Sequence, residues 1–485
     1  MVSTKKRKSY YHWGVILITA LMAFAWLGNK GVFAWDEARY GENAYWMNAK
    51  GDYVNFYFAN QPDKWNAKPP LANWLIALNY QWIGHNPWAL RLHSAISIVL
   101  FFAIFFAWVR RYRGSTFASI TCAVLLTVKG IIGHHVGRTG DTDALLLLWL
   151  MGFLYAFSAW VDFGERKMLL WGAICLGLAF YSKGPTFIFY LPGAAIYLLL
   201  RRRLAALLSE SYFWVGIGSL LAIIASWIIL VEANSPDDGN NSWQTLLFYD
   251  TIARFTETGV EGAATSWNAG FVFEALDIKF NLWNYLMYAS LILFSVRRSR
   301  EHKLDRLLWQ KDEYRIFLLS LSIAISLSVV LTISQSKLVW YITPILPFAA
   351  LAVSSLIIFS VEHSKHWLWL WAGLFLFTGG RQLLDLYRVP ESNSQFVYER
   401  EELLAGAERI YLYRAGDQEM QLYADWYATE VWSLEELRDW EGDGILLGSV
   451  RAAERESLMQ KISFTSECKA DFCILIGSRP TTTSE

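Results

Sequence analysis

The apolar residues of this chain come in blocks of about 20, the length of helix that crosses a bilayer core, and no other feature constrains the fold as much. The first block is roughly His12–Gly31. Ten more follow near 91–109, 116–134, 143–161, 168–182, 185–200, 212–231, 283–296, 314–333, 338–360 and 366–380. About eleven spans are therefore expected. Composition agrees: 54% of the 485 residues are hydrophobic and 18% charged, below the usual quarter for a soluble domain. Lys plus Arg equals Asp plus Glu at 43 each, so no charge bias points to nucleic acid as a partner.

The charged residues between blocks set the expected orientation. "KKRK" (Lys5–Lys8) precedes the first block, which is long and has no convincing small-x-small cleavage site before Trp35. It reads as an anchor rather than a cleaved signal peptide, with the N-terminus in the cytoplasm. "RRYR" (110–113), "ERK" (165–167), "RRR" (201–203) and "RRSREHK" (297–303) fall on that same side. The outer side receives 36–90, 133–142, 183–184, 231–282 and 335–337.

Residues 1–380 thus read as the membrane domain, with a first outer loop at about 35–90, and 381–485 as a soluble α/β domain on the outer side. The last block, "HWLWLWAGLFLFTGG", is short for a crossing and its aromatics suit an interface. In the tail, Arg409–Arg414, "GILLGS" and "DFCILIGS" read as strands. Ser433–Glu441 reads as a helix, with Ser433 as cap and Glu436 three residues on. Cys468 and Cys473 are placed to form a disulfide, while Cys122 and Cys175 read as small core residues.

Charged side chains gather at the outer ends of the spans. Asp36 and Glu37 open the first outer loop in "DEARYGE", with Arg39 and Tyr40 beside them, and the loop continues through Asp63 to "AKPPLANWL", which carries Lys68. "HHVGRTGDTDALLLLWL" supplies His134, His135, Arg138, Asp141 and Asp143; "SKGP" supplies Lys183; "SKLVWYITPILP" supplies Lys337 and Tyr341. The plain readings are a solvated loop carboxylate or helix cap for Asp36, a snorkelling lysine at 68, helix caps at Asp141 and Asp143, and a solvated loop for Asp237–Asp238. Against them, a carboxylate entering an apolar run and a lysine between two such runs are costly without partners. Four bases beside two acids at one depth suit transfer chemistry on a lipid phosphate, the lysines acting as point-charge phosphate ligands.

These stretches, in this order, resemble the membrane glycosyltransferases of the C fold that use polyprenyl-phosphate sugars, the group of the bacterial aminoarabinose transferases and the protein O-mannosyltransferases. The resemblance covers most of residues 30–350. It implies Asp36 as the catalytic carboxylate and Asp143 as the second outer carboxylate. Lys68, Lys183 and Lys337 match the family's lysines; with Arg138 they are the candidates for the donor phosphate. Glu37, Arg39, Tyr40 and Tyr341 are additional site candidates. The family's bacterial branch has a metal-ligating glutamate before Lys-Pro-Pro; here Ala67 stands there. A divalent metal is left open, with His134, His135 or Asp63 as replacement ligands; no cofactor is otherwise expected. The implied reaction is transfer of a hexosyl or pentosyl group, with inversion, to a lipid A-like or protein acceptor at the outer face of the bacterial inner membrane. A secondary transporter of an anionic or lipid-linked substrate is the rival reading. It expects ionisable residues near the midplane rather than at span ends on one face.

Overall fold

A computed structural model describes residues 11–63, 65–234, 242–257, 268–300, 312–414, 417–459 and 464–477. "KKRK" and the pair Asp237–Asp238 lie outside them, and "RRSREHK" lies outside them or outside the side chains described. Among the described residues six helices are long and apolar enough to cross a membrane: Pro87–Leu126, Asp143–Phe163, Met168–Leu200, Ser211–Asn234, Tyr314–Ile333 and Val339–His363. Tyr11–Phe24 and Leu282–Val296 are shorter apolar helices. Trp367–Tyr387 is a helix of 21 residues that carries the chain toward the tail.

Helix α1 is Tyr11–Phe24, α2 is Asp36–Lys50, α3 is Leu71–Ile83 and α4 is Pro87–Leu126. Asn86 caps α4 by accepting the Ala89 N–H at 2.9 Å, and Pro87 at the first helical position leaves no donor unmet there. The 40 residues of α4 are two arms joined at Gly114, whose φ of 80° only glycine adopts freely. Two of the apolar blocks therefore share one kinked element. Helix α5 is Asp143–Phe163, and α6, Met168–Lys183, ends at Gly184 (φ 61°). Pro185 then opens a 3₁₀ turn, Gly184–Tyr190, before α7, Leu191–Leu200.

The helix α5 fixes two ends about 30 Å apart. At its C-terminal end, Arg111 pairs with Glu165 and Arg166 with Glu210, and Arg201 lies 3.2 Å from Asp162. The described basic clusters of the sequence thus meet at one end. The acidic and basic residues of the outer loops meet at the other.

The tail holds a five-stranded sheet in the order Ala428–Leu434, Ala407–Tyr413, Gly444–Ser449, Phe472–Gly477, Phe464–Lys469. The first three strands are parallel and the last two antiparallel to their neighbours. Cys468 and Cys473 are cross-strand partners joined by a disulfide. The helix expected at 433–441 is corrected: Ala428–Leu434 is a strand, and only Leu437–Asp439 makes a 3₁₀ turn. Val431 and Trp432 favour the extended state there, and parallel pairing with 407–413 overrides the capping signal. The helix lies instead at Gln418–Tyr427.

That helix packs on α2. Ala38, Tyr40, Ala44 and Met47 share one core with Met420, Leu422, Tyr423 and Ala424. At Gly41 a Cβ would come within 2.9 Å of Leu422 and 3.0 Å of the Tyr80 hydroxyl, so glycine sets the approach. The Tyr423 hydroxyl accepts the Val32 N–H at 2.8 Å, and Gln395 Oε1 accepts the Gly31 N–H at 2.6 Å. The tail is part of the floor of the first outer loop, not a tethered appendage.

Candidate active site

The site is built from the start of α2, the 133–142 loop, the start of α5, the α6–α7 break and the turn of residues 245–256. Trp35, with φ 68°, turns the chain so that α2 begins at Asp36 and places that carboxylate at a helix N-terminus, where the dipole favours an anion. The Asp36 side chain has no hydrogen bond or ion pair among the described residues. Burial raises its pKa, and the neighbouring Asp141 adds to the rise against Lys68, Lys183 and His135.

Asp141 is differently placed. Its carboxylate accepts from His135 Nδ1 at 3.0 Å and from the Thr142 N–H at 2.6 Å. Burial works against its charge, but the His135 hydrogen bond and Lys183 outweigh it and hold the pKa down at about 2. His135 is fixed by stacking on Trp340, with ring centres 3.6 Å apart. At the first residue of α5, Asp143 takes the ammonium of Lys183 at 2.5 Å. The break at Gly184–Pro185 ends α6 where Lys183 meets that carboxylate.

A cavity of about 1040 Å³, including its open mouth, begins at this ion pair. Its polar wall holds Lys68, Lys183, Asp143, Asp250, Arg254 and Tyr341, and its apolar wall includes Leu146, Leu150, Phe189, Leu327 and Leu331. Asp250 lies 3.8 Å from Lys68 Nζ and 3.1 Å from Arg254 Nε. Burial opposes the Lys68 charge, yet Asp250 and Asp36 prevail and the net shift is upward, so this lysine stays an ammonium. Lys68 also lies over the Trp65 ring at 5.0 Å, and Lys183 over Tyr341 at 5.4 Å. The cavity therefore pairs a cationic rim with a hydrocarbon-lined wall.

Not every expected site residue arrives there. Arg138 lies away from the cavity lining: its guanidinium donates to the carbonyls of Ala23 (2.9 Å) and Trp26 (2.7 Å), closing the end of α1. Lys337 is not part of the cavity lining either. Its ammonium donates to the carbonyls of Leu331 (3.3 Å), Thr332 (3.1 Å) and Ser334, which end the helix Asp312–Ile333. Glu37 turns inward to a buried pair with Arg91. Arg39 stacks between Phe58 and Trp65 and pairs with Asp63 at 2.5 Å. Tyr40 is buried below Lys68, 5.9 Å from its ammonium.

The residues present do not fit a divalent ion at the position the resemblance suggested. Ala67 offers no ligand, and the carboxylate beside Lys68, Asp250, is already neutralised by two cations. Asp63 is taken by Arg39, and His134 packs edge-on against Phe33. Asp36, His135 and Asp141 do suit one, with a ligand atom from each lying within 4.8 Å of the others. These three would hold a divalent cation, which would supply positive charge at this end of the site.

Asp250 and Arg254 were missed in the sequence. The long polar segment "NSPDDGNNSWQTLLFYDTIARF" reads as shaping the acceptor site without singling out either residue, although their i, i+4 spacing was a signal; in the structure Thr245–Ala253 is a π-helix, Arg254 follows it, and both side chains line the cavity beside Lys68.

Comparison with known proteins agrees with this architecture. Residues 67–230 match the family model described as dolichyl-phosphate-mannose-protein mannosyltransferase. An undecaprenyl phosphate-alpha-4-amino-4-deoxy-L-arabinose arabinosyl transferase of Pseudomonas aeruginosa (strain UCBPP-PA14) is 26% identical over 354 residues, covering 71% of this chain and 59% of the relative. A protein of the same name from Pseudomonas savastanoi pv. phaseolicola is 28% identical over 368 residues, covering 73% and 62%. The chain thus spans about three fifths of the length of these curated relatives. The crystal structure of ArnT from Cupriavidus metallidurans bound to undecaprenyl phosphate superposes with a TM-score of 0.70 at 16% identity, covering 97% of this chain and 98% of that one.

Proposed function

We propose, for a chain that belongs to the C-fold membrane glycosyltransferases using polyprenyl-phosphate sugars, that it moves a sugar from an undecaprenyl-phosphate donor to a lipid A-like acceptor at the outer face of the cytoplasmic membrane. One observation carries this reading: a single cavity joins a rim of Lys68, Lys183 and Arg254 to a wall of Leu146, Leu150, Phe189 and Leu331. A prenyl-linked phosphate has that same division, an anionic head on a hydrocarbon tail.

In this reading Lys68 and Arg254 grip the donor phosphate, with Lys183 beside them, and balance the charge that develops as the phosphate leaves. Asp250 holds Lys68 and Arg254 apart and in place before the donor arrives. Asp143 holds Lys183. Asp36, with no partner of its own, faces the space between this rim and Asp141. It orients the acceptor, and takes its proton where the acceptor is a hydroxyl. An acceptor phosphate already carries its negative charge, so there Asp36 acts by position. Displacement from the face opposite the leaving phosphate inverts the sugar's anomeric centre.

The relatives' names support an undecaprenyl-phosphate aminoarabinose donor but name no acceptor, and the family model's description keeps a protein acceptor in view. Mass spectrometry of surface glycolipids and glycoproteins, with and without the gene, separates them. A 4-amino-4-deoxyarabinose missing from lipid A is the expected result. A sugar missing only from proteins moves the acceptor to a hydroxyl. An unchanged envelope contradicts the proposal. The transporter reading is weaker, because these ionisable groups gather at helix ends on one side of the bundle.

A further inference from the structure

Where the tail meets the first outer loop, two carboxyls face each other in the dark of the interface. Glu42 of α2 is fully buried, and Asp425 of the helix Gln418–Tyr427 is 6% exposed. The Trp46 indole N–H donates to both, at 2.8 Å to Glu42 Oε1 and 3.3 Å to Asp425 Oδ2. Gln421 donates to Asp425 Oδ2 at 3.0 Å, and the Ala59 N–H to Glu42 Oε1 at 3.1 Å.

Neither carboxyl has an ion pair among the described residues. Glu42 Oε2, buried and lying against Asp425, has no donor while both groups are ionised. Two adjacent carboxylates without a counter-cation are unfavourable in such a place, and one proton between them removes the repulsion and satisfies the orphaned oxygen. The other groups facing the pair do not supply the charge. From α2 come Tyr45 and Lys50, the latter lying over the Trp46 and Tyr57 rings at 5.3 and 4.7 Å. From α3 comes Tyr80, with His85 just beyond it, its pKa lowered by burial. The tail helix adds Glu419 and Trp426.

We propose that Glu42 and Asp425 share one proton when the C-terminal domain is docked, so that docking on α2 is a proton-dependent latch. Nothing in this step requires the assigned transfer activity; it rests on the interface alone. Burial, and then the facing Asp425, hold Glu42 protonated well above the usual carboxylate range. The docked form therefore binds one proton more than the undocked form. Docking is complete below the ordinary carboxylate pKa of the free group and weakens as pH climbs through the raised one, by up to about tenfold per pH unit. Because Asp36 opens the same helix, the latch sits under the site.

Hydrogen exchange of the intact protein in nanodiscs tests this, with protection in residues 418–427 followed from pH 6 to pH 10 and corrected for the intrinsic pH dependence. Wild-type protection is expected to fall at least tenfold across the range. Glu42→Gln keeps the shape and the shared hydrogen bond without the titrating proton, so it should hold its pH 6 protection throughout. Asp425→Asn should behave the same way. Glu419, pushed up to about 7 by burial and by Asp417, titrates in this window, and Glu419→Gln should keep the wild-type fall above pH 8. Flat wild-type protection overturns the latch. So does a wild-type slope in Glu42→Gln, or protection already lost at pH 6 in both carboxamide variants.

Discussion

Glu37 and Arg91 form a buried bidentate ion pair, Nε to Oε1 at 2.7 Å and Nη2 to Oε2 at 2.9 Å. Their remaining valences are met as well. Glu37 accepts from the Gly140 N–H at 2.7 Å and the Phe33 N–H at 2.8 Å. Arg91 donates to the carbonyls of Leu27, Lys30 and Gly31. One ion pair thus ties together the segment after α1, the first turn of α2, the start of α4 and the 133–142 loop. It fixes Asp36 by fixing its neighbour.

Removing one partner leaves the other charge buried and unpaired. Arg91→Ala should destabilise the protein by about 3–5 kcal/mol. The check is thermal unfolding of the purified protein in detergent. An unfolding temperature like that of wild type would show that the pair is not the anchor described here.

The cationic rim predicts a pattern of donor affinities. Lys68→Ala and Arg254→Ala should each weaken undecaprenyl-phosphate binding by about 1.5–3 kcal/mol, roughly ten- to a hundredfold. Lys337→Ala should leave it unchanged, because that ammonium closes a helix end. Calorimetric titration with the lipid distinguishes them. Equal losses at all three positions would mean a diffuse electrostatic effect rather than a built phosphate site.

The orientation predicted from the basic clusters puts the tail outside the cytoplasm. A reporter fused after Thr482 that works only in the periplasm should be active. Activity of a cytoplasmic reporter at the same position would invert the account of which face the site opens to.

The helical membrane fold and the placement of charge at span ends are legible because burial in hydrocarbon imposes a length and excludes bare charge; the count of about eleven spans is not, since among the described residues six helices are long and apolar enough to cross, two of them each taking up two of the expected blocks. Asp36, Lys68, Asp143 and Lys183 were found by that logic and do meet around one cavity and its edge. Arg138 and Lys337 obey the same logic yet go elsewhere: a long cation at a span end can equally satisfy helix-terminal carbonyls, and sequence position does not say which. Arg91 was passed over because a single arginine at the start of an apolar run reads as interfacial until its carboxylate partner, 54 residues away, is seen. The disulfide and three tail strands followed from local pattern. The strand at 428–434 did not, since its register depends on a neighbour that the capping signal conceals.

The most direct test is transfer itself, with wild type and Asp36→Asn compared in detergent. Each purified protein is given undecaprenyl-phosphate aminoarabinose and lipid A, and donor binding is measured alongside. Wild type should transfer the sugar. Asp36→Asn, the same size but without the charge, should bind the donor as wild type does and transfer little or none. Wild-type protein that binds the donor yet moves no sugar to any acceptor, or an Asp36→Asn protein with near-normal turnover, would contradict the account.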